Sequence, residues 1–267
     1  MDKGKAFRAL HEATFIIPNP WDIGTARLLQ HFGFKALATT SAGFAFSRGL
    51  PDGGVPFDVM IEHCKEIVAA TDLPVSADLE HGKGDSADSA AETIFAAEKA
   101  GLAGCSIEDS TGNPQKPIYD FTLAVERVTA AVEAARSLSR DFVFTARAEN
   151  FLWGIADLDD TIRRLQAFEK AGADVLYAPA LPDIETVRAV CSAVSKPVNV
   201  LVRPGFTVKA LREAGAKRLS LGSKLTTAAF GTLQRAANEM LNEGGFEFSR
   251  QEMPFMELQK LFAGRRA

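Results

Sequence analysis

The 267-residue chain has little cysteine, little histidine and no excess of positive charge. Its three cysteines, Cys64, Cys105 and Cys191, are odd in number and far apart, which argues against a disulfide framework or a cysteine metal cluster. The four histidines form no ligand pair in the sequence, so a zinc site is not indicated. This cysteine usage favours a reducing cytoplasm.

Charge and hydropathy argue against two classes of partner. The formal net charge is −4, which predicts no broad basic surface for nucleic acid. No apolar run approaches the length of a membrane span, and "MDKGKAFRALHEATF" lacks the apolar core of a signal peptide. The hydrophobic content of 46% is ordinary for a globular protein. We therefore expect a cytoplasmic protein that binds neither nucleic acid nor membranes.

Short β-rich runs alternate with longer helical patterns along the chain. The strand candidates are residues 14–19, 36–41, 74–80, 104–109, 142–150, 174–180, 197–203 and 218–223. Strict alternation implies parallel strands joined by crossover helices. The segments "EKAGLAGCSI", "EKAGADVLYA" and "REAGAKRLSL" repeat one form, a helix end, an Ala-Gly pair and a strand. Eight such units predict a (β/α)8 TIM barrel. The alternative, an open doubly wound sheet, needs a phosphate fingerprint that "PNPWDIG" does not provide.

The chain continues beyond the length that eight units need. We expect residues 1–245 to form the barrel domain and residues 246–267 to form a helical tail. The tail carries an apolar stripe that includes Phe255, Met256 and Phe262. Such a stripe must be buried, either against its own barrel or against a partner subunit.

Charged residues collect at the late ends of the central strand candidates. Asp78 and Glu80 are two residues apart, as are Arg147 and Glu149, so each pair shares one strand face. Glu108 ends the fourth strand candidate. Because active sites of such barrels lie at the C-terminal strand ends, we expect these five side chains to converge on one site, with Arg147 and Glu149 as candidate catalytic residues.

Four carboxylates around one arginine cannot all stay ionised at close range without more positive charge. A divalent cation would supply it, and hard oxygen ligands favour Mg²⁺, with Mn²⁺ possible. The alternative is a charge-paired network around Arg147 that only closes the barrel top. A metal beside an arginine suits a substrate with a carboxylate next to a carbonyl, because both would stabilise an enolate oxygen.

Several motifs follow one another in a characteristic order. They are "NPWDIGTARLLQHFGFKALATTSAG", "RGLPDGG", "DLEHGKG", "IEDSTG" and "TARAEN". Together they resemble the isocitrate lyase and phosphoenolpyruvate mutase superfamily, from about residue 5 to residue 245. The resemblance implies a Mg²⁺-dependent enzyme that acts on small carboxylate substrates. It also implies a homo-oligomer, either a dimer or a tetramer in which C-terminal helices swap between paired subunits.

The resemblance assigns roles on the metal side of the site. Asp78 would touch Mg²⁺ directly, and Glu80 and Glu108 would do so directly or through water. Asp52 would lie near the metal waters. Arg147 would bind the oxygen of an enolpyruvate-like intermediate.

The substrate side receives a second set of roles from the resemblance. Backbone amides around Thr40, Ser41 and Ala42 would complete the oxyanion site. Asn199 would face the substrate carboxylate. His81 replaces a residue of the family pattern; it either meets an anionic substrate group, acts as the proton donor, or only borders its loop.

Departures from the superfamily pattern leave the substrate open. Isocitrate and methylisocitrate lyases carry a cysteine general acid in the loop after strand four, whereas residues 110–120, "STGNPQKPIYD", have none. We expect carbon–carbon cleavage of a 2-oxo acid or of a 2-hydroxy di- or tricarboxylate, by a lyase or decarboxylase. The alternatives are a phosphonopyruvate-type or phosphoenolpyruvate mutase or hydrolase, and a catalytically silent barrel that binds a dicarboxylate.

Overall fold

Residues 2–263 are described by a computed structural model, in which eight parallel strands form one sheet. The strands are β1 (Phe15–Ile17), β2 (Leu37–Ala38), β3 (Val75–Asp78), β4 (Gly104–Glu108), β5 (Val143–Arg147), β6 (Val175–Tyr177), β7 (Val198–Leu201) and β8 (Arg218–Ser220). Their order in the sheet is β1-β8-β7-β6-β5-β4-β3-β2. All eight predicted strands are present, and each is shorter than its apolar run.

The sheet closes between β1 and β2. Just beyond the end of β1, the carbonyl oxygen of Pro18 accepts a hydrogen bond from the Ala38 amide at 3.1 Å. Nearby, Nδ2 of Asn19 donates to the carbonyl oxygen of Thr39, also at 3.1 Å. The predicted (β/α)8 TIM barrel is therefore confirmed, as a nearly closed barrel of parallel strands.

Helices follow the strands and surround the barrel. They are α1 (Lys3–Leu10), α2 (Ile23–His31), α3 (Ser41–Ser47), α4 (Phe57–Ala70), α5 (Ala87–Lys99), α6 (Phe121–Ser137), α7 (Leu158–Ala171), α8 (Ile184–Ser192), α9 (Val208–Glu213), α10 (Lys224–Asn242) and α11 (Phe255–Ala263). Several begin at a capping aspartate, as α7 does at Asp157, whose side chain accepts from the Asp160 amide. No helix within residues 2–263 is both long and apolar enough to cross a membrane.

The two faces of each strand bury different groups. On β5, Phe144 and Ala146 pack outward in the large core beneath the helices. Val143 points inward and joins a small core at the barrel's N-terminal end, where Phe7 of α1 is fully buried. Helix α1 thus covers that end, and the opposite end carries the polar inward side chains.

The C-terminal tail packs on its own chain in this structure. After α10 comes a short 3₁₀ turn (Glu247–Gln251), and α11 then contacts α2. Phe255 and Met256 of α11 remain largely exposed, at 69% and 62%. Residues 264–267 of the predicted tail lie outside the described residues. Exchange of this tail between subunits stays a prediction.

Candidate active site

A cavity of about 550 Å³ opens at the C-terminal ends of the strands. It is lined by every predicted site residue except Glu149: Thr40, Ser41, Ala42, Asp52, Asp78, Glu80, His81, Glu108, Arg147 and Asn199. Residues from five strands or the loops that follow them therefore meet in one place. This convergence is what the strand register of a parallel barrel produces.

Arg147 lies at the centre of the acidic side of the cavity. Its Nη1 lies 2.6 Å from Oδ1 of Asp78, and its Nη2 lies 2.9 Å from Oε2 of Glu108. The same Nη2 lies 2.9 Å from Oε1 of Glu149, and the Tyr177 ring centroid is 5.0 Å from the guanidinium carbon. The residue is only 8% exposed, so its guanidinium is held in one orientation by three carboxylates and an aromatic face.

Glu149 is placed behind Arg147 rather than at the cavity. It is completely buried, and its Oε1 accepts from Nε of Arg147 at 3.0 Å. Its backbone amide donates to Oδ1 of Asp109, which in turn pairs with Arg164 at 3.0 Å. Glu149 is the one predicted site residue that is not among those lining the cavity, and its contacts favour a role in holding Arg147 in place. A catalytic role for Glu149 stays a prediction.

Asp78 links the arginine to the β2 end of the cavity. Its Oδ2 accepts a hydrogen bond from Oγ of Ser41 at 2.8 Å, and the Ser41 amide lies 3.4 Å from the same oxygen. The neighbouring Thr40 caps α3, where its Oγ1 accepts from the Gly43 amide. The predicted oxyanion segment therefore lies at the cavity wall, with the Ser41 amide directed at Asp78.

Glu80 reaches the cavity through a turn. Strand β3 ends at Asp78, and Glu80 has a left-handed φ of 52°, with the Gly82 amide bonded to the carbonyl oxygen of Leu79. Strand alternation therefore predicted the correct side for Glu80 although the strand does not extend to it. A left-handed conformation is costly for a glutamate and is compatible with a constrained site.

The acidic side carries more negative charge than Arg147 offsets. Burial, together with the charges of Asp78 and Asp52, raises the pKa of Glu80 to about 7. Burial and Asp78 also raise the pKa of Asp52. Burial raises the pKa of Glu108 well above its ordinary value, against the opposing effect of Arg147. Burial is the largest cause of all three shifts and the neighbouring carboxylates add to it, so further positive charge here would stabilise the ionised forms.

The donor chemistry of this side fits a hard divalent cation. Asp52, Asp78, Glu80 and Glu108 offer carboxylate oxygens to one cavity. As placed, however, no three histidine, cysteine or acidic side chains within residues 2–263 are close enough together to hold a metal ion. Asp78 and Glu108 are instead both paired with Arg147. The predicted ligands Asp78, Glu80 and Glu108 thus supply suitable oxygens, and metal binding stays a prediction.

The opposite side of the cavity is built from β7 and β8. Asn199 is almost fully buried, donates from Nδ2 to Oγ of Ser220 at 2.9 Å and accepts at Oδ1 from Nε of Arg218 at 2.9 Å. Arg218 also lines the cavity and is not among the site residues predicted from the sequence. The available signal was its position as an arginine at the start of the eighth strand candidate, directly before Leu219.

Two loops form the rim of the cavity. Ser110 and Gly112, from the loop after β4, and Leu152 and Trp153, from the loop after β5, all line it. Nε1 of Trp153 donates to Oγ of Ser110 at 3.1 Å and joins the two loops. His81 lies on the same rim, where burial lowers its pKa. The apolar pair at residues 152–153 was not predicted from the sequence to line the site.

The sequence is similar to those of known proteins. The family model for phosphoenolpyruvate phosphomutase matches residues 7–241. The chain belongs to this family. A 2-methylisocitrate lyase of Escherichia coli (strain K12) is 32% identical over 254 residues, which covers 90% of this chain and 83% of that protein. The resemblance to the isocitrate lyase and phosphoenolpyruvate mutase superfamily is confirmed, and the chain is an enzyme of that superfamily.

Two solved structures are similar to this chain over nearly its whole length. A "putative lyase/mutase" from Burkholderia cenocepacia J2315 has a TM-score of 0.95 and 51% identity, covering 98% of this chain and 95% of that one. An oxaloacetate acetylhydrolase in complex with its product oxalate has a TM-score of 0.85 and 26% identity, covering 97% of this chain and 93% of that one.

Proposed function

We propose that the protein is a Mg²⁺-dependent lyase that cleaves the carbon–carbon bond β to the carbonyl of a small carboxylate substrate. The substrate is a 2-oxo acid or a 2-hydroxy di- or tricarboxylate. The observation that carries the proposal is the buried Arg147, fixed by ion pairs in a cavity that also presents Asp52 and Glu80. The lyase among the chain's relatives supports the same reaction class.

Arg147 stabilises the charge that develops as the bond breaks. In a 2-oxo acid, the electrons of the breaking bond move onto the 2-oxo oxygen, which becomes an enolate. In a 2-hydroxy acid, the hydroxyl group loses its proton and becomes the new carbonyl, and the electrons of the breaking bond move onto a carboxylate oxygen of the other fragment. In both cases the guanidinium donates hydrogen bonds to the oxygen that gains charge. Because Glu108 and Glu149 already hold the guanidinium, little reorganisation is needed during the reaction. A Mg²⁺ held by Asp78, Glu80 and Glu108 would supply Lewis-acid polarisation of the substrate carbonyl.

The remaining predicted residues shape the substrate's surroundings. Ser41 keeps Asp78 oriented through its hydroxyl, and Asp52 lies on the same side of the cavity. Asn199 closes the opposite side. His81, the histidine that lines the cavity, is the proposed proton carrier, since the loop at residues 110–120 contains no cysteine for that role.

A second candidate function is cleavage or rearrangement of a phosphorus–carbon bond. The matching family model is that of a phosphomutase, which favours a phosphonopyruvate-type substrate as the alternative. Both reactions pass through an enolpyruvate-like species, so the acidic side of the cavity does not distinguish them. The distinction depends on the group that leaves.

The test is a substrate screen with Mg²⁺, with and without EDTA, that includes oxaloacetate, substituted malates and phosphonopyruvate. We expect EDTA-sensitive release of a two- or three-carbon product from a carboxylate substrate. Phosphate or phosphoenolpyruvate formed from phosphonopyruvate would instead favour the second candidate. Calorimetry should show oxalate binding that requires Mg²⁺, and a folded protein that binds no oxalate with Mg²⁺ would contradict the proposal.

Isocitrate and 2-methylisocitrate are informative members of the screen. Because residues 110–120 lack a cysteine acid, we expect both to be cleaved poorly. Rapid glyoxylate or pyruvate release, at an ordinary enzymatic turnover of about 1–1000 per second, would show that another group replaces the cysteine.

A further inference from the structure

Arg218 is a buried cation without a carboxylate partner. It is 5% exposed, and no ion pair within residues 2–263 joins it to an acidic side chain. Its hydrogen-bond acceptors are neutral: Oδ1 of Asn199, 2.9 Å from Nε, and Oγ1 of Thr145, 3.0 Å from Nη2. A buried charge of this kind is costly unless something compensates it.

One nitrogen of Arg218 also lacks a hydrogen bond. Nη1 is buried and has no acceptor among the described residues. Buried arginine nitrogens are normally bonded, so this donor calls for an explanation. Burial lowers the pKa of Arg218 to about 10, and the charge of Arg147 contributes in the same direction. An anion beside the guanidinium would accept the free hydrogen bond and would offset the lowering of the pKa.

The position of Arg218 in the cavity determines which anion can reach it. The side chain lines the same cavity as Arg147. It bonds to Thr145, which precedes Arg147 by two residues on β5, roughly 7 Å along the strand. The intervening wall is polar, with Ser106, Asn199 and Ser220. A short dicarboxylate can therefore engage both arginines with its two ends.

We propose that Arg218 is an anion subsite at the floor of the cavity that binds the second carboxylate of a dicarboxylate substrate. The proposal rests on the proposed function, which places the reacting 2-oxo or 2-hydroxy end of the substrate at Arg147. Nη1 of Arg218 donates to the second carboxylate, while Asn199 and Thr145 keep the guanidinium in place. The subsite thus selects acids with a charged distal end over those with an apolar one.

Ligands that differ only at the distal end test this selection. Oxaloacetate and 2-oxoglutarate carry a carboxylate where 2-oxobutanoate and 2-oxopentanoate carry a methyl group. Each would be titrated against Mg²⁺-dependent oxalate binding and its inhibition constant measured. Because a charge-assisted hydrogen bond is lost with the methyl group, we expect the wild type to prefer the dicarboxylates by roughly 10- to 100-fold.

Three variants assign the preference to Arg218. Arg218→Met keeps an unbranched side chain without charge and should lose most of the preference while oxalate affinity changes little. Arg203→Met is the matched control, since Arg203 is exposed, bonds to the carbonyl oxygen of Pro182 and is not among the residues that line the cavity. Asn199→Asp gives Arg218 an internal counter-charge at the same position and should also lose the preference.

The outcomes separate this inference from the proposed function. A wild type that binds no oxalate with Mg²⁺ overturns the proposed function and this inference with it. Oxalate binding without a carboxylate preference, or with a preference that folded Arg218→Met retains, overturns the inference alone. If Arg218→Met does not fold, as checked by circular dichroism, a preference that survives in Asn199→Asp overturns the inference instead.

Discussion

The two sides of the cavity carry opposite excess charge. The β3–β5 side presents Asp78 and Glu108 around Arg147, and negative charge is in excess there. The β7–β8 side presents Arg218 among neutral partners such as Asn199, and positive charge is in excess there. Both sides are buried in the same barrel and are built from strands of similar length.

These opposite charges allow one cavity to orient a small molecule. A side with surplus carboxylates favours a cation, and a side with an unpaired guanidinium favours an anion. A substrate with a metal-chelating end and a second carboxylate would satisfy both sides in one orientation only. Variants that disturb each side separately should therefore produce different kinetic signatures.

The largest effect is expected from Arg147→Ala on the acidic side. Losing a preorganised donor at the developing charge should lower kcat roughly 100- to 1000-fold. The matched comparison is Arg218→Met, which should mainly raise KM, because the distal carboxylate is bound equally in the ground and transition states. Steady-state kinetics on the substrate found in the screen measures both.

The controls for Arg147 address stability and charge. Arg147→Lys should recover only part of the activity, since an ammonium cannot reproduce the planar fork that engages Asp78 and Glu149. Removing the guanidinium also leaves buried carboxylates uncompensated, so folding and metal content must be checked first. A folded, metal-loaded Arg147→Ala enzyme with nearly unchanged kcat would exclude the assigned role.

The sequence predicted the acidic side better than the basic one, for a physical reason. Strand alternation and glycine-terminated helices are local signals, and they placed Asp78, Glu108 and Arg147 correctly at the cavity. The basic side depends on packing between distant segments: Arg218 bonds to Thr145, 73 residues away. No local pattern reveals whether such an arginine finds a counter-ion.

The sequence patterns also did not predict where the strands end or how the N-terminal end of the barrel is closed. The fifth strand candidate spans residues 142–150, but β5 ends at Arg147, and Glu149 beyond it is completely buried. Helix α1 did not emerge from the alternation, because its main apolar contribution is the single Phe7 that packs into the barrel's end. Both features follow from tertiary contacts.

A second test of the acidic side is Asp78→Asn. The substitution keeps the shape of the side chain and removes the charge that faces both Arg147 and the proposed metal. We expect Mg²⁺-dependent oxalate affinity to fall at least about 10-fold, measured by calorimetry. Asp58→Asn, on the exposed surface of α4, is the control for charge alone. Equal losses in both variants would contradict a specific role for Asp78.

The closed end of the barrel offers a test that involves neither side's ligands. His11 is buried against the rings of Phe7 and Phe15, and its pKa is lowered to about 3 by burial and by the charges of Arg218 and Arg8. The unfolded chain takes up a proton below its ordinary pKa of about 6.5, whereas the folded chain does not until about pH 3. The stability that comes from keeping His11 neutral is therefore fully present above about pH 6.5, and it is lost as the pH falls toward about 3.

Denaturant unfolding at several pH values measures this effect. The contribution of His11 should lower the unfolding free energy by up to about 1.4 kcal/mol per pH unit between 6.5 and 3. His11→Leu should flatten that part of the profile, and His31→Leu, at an exposed histidine in the last turn of α2, is the control. If His11→Leu leaves the slope unchanged, the acid sensitivity arises elsewhere, with the cavity carboxylates as the next place to look.

The smallest effect is expected at the rim that connects the loops after β4 and β5. Trp153→Phe keeps an aromatic surface over the cavity but loses the hydrogen bond from Nε1 to Oγ of Ser110. A single neutral hydrogen bond of this kind is worth about 0.5–1.5 kcal/mol, so KM should rise roughly two- to tenfold with little change in kcat. Trp21→Phe is the matched control, because Trp21 is the chain's other tryptophan and is not among the residues that line the cavity.

In that control Trp153 is the single tryptophan, and its fluorescence should change when oxalate and Mg²⁺ are added. An unchanged KM in Trp153→Phe, together with a silent Trp153 signal, would show that the rim does not contact the bound ligand and that selection occurs at the two sides below it.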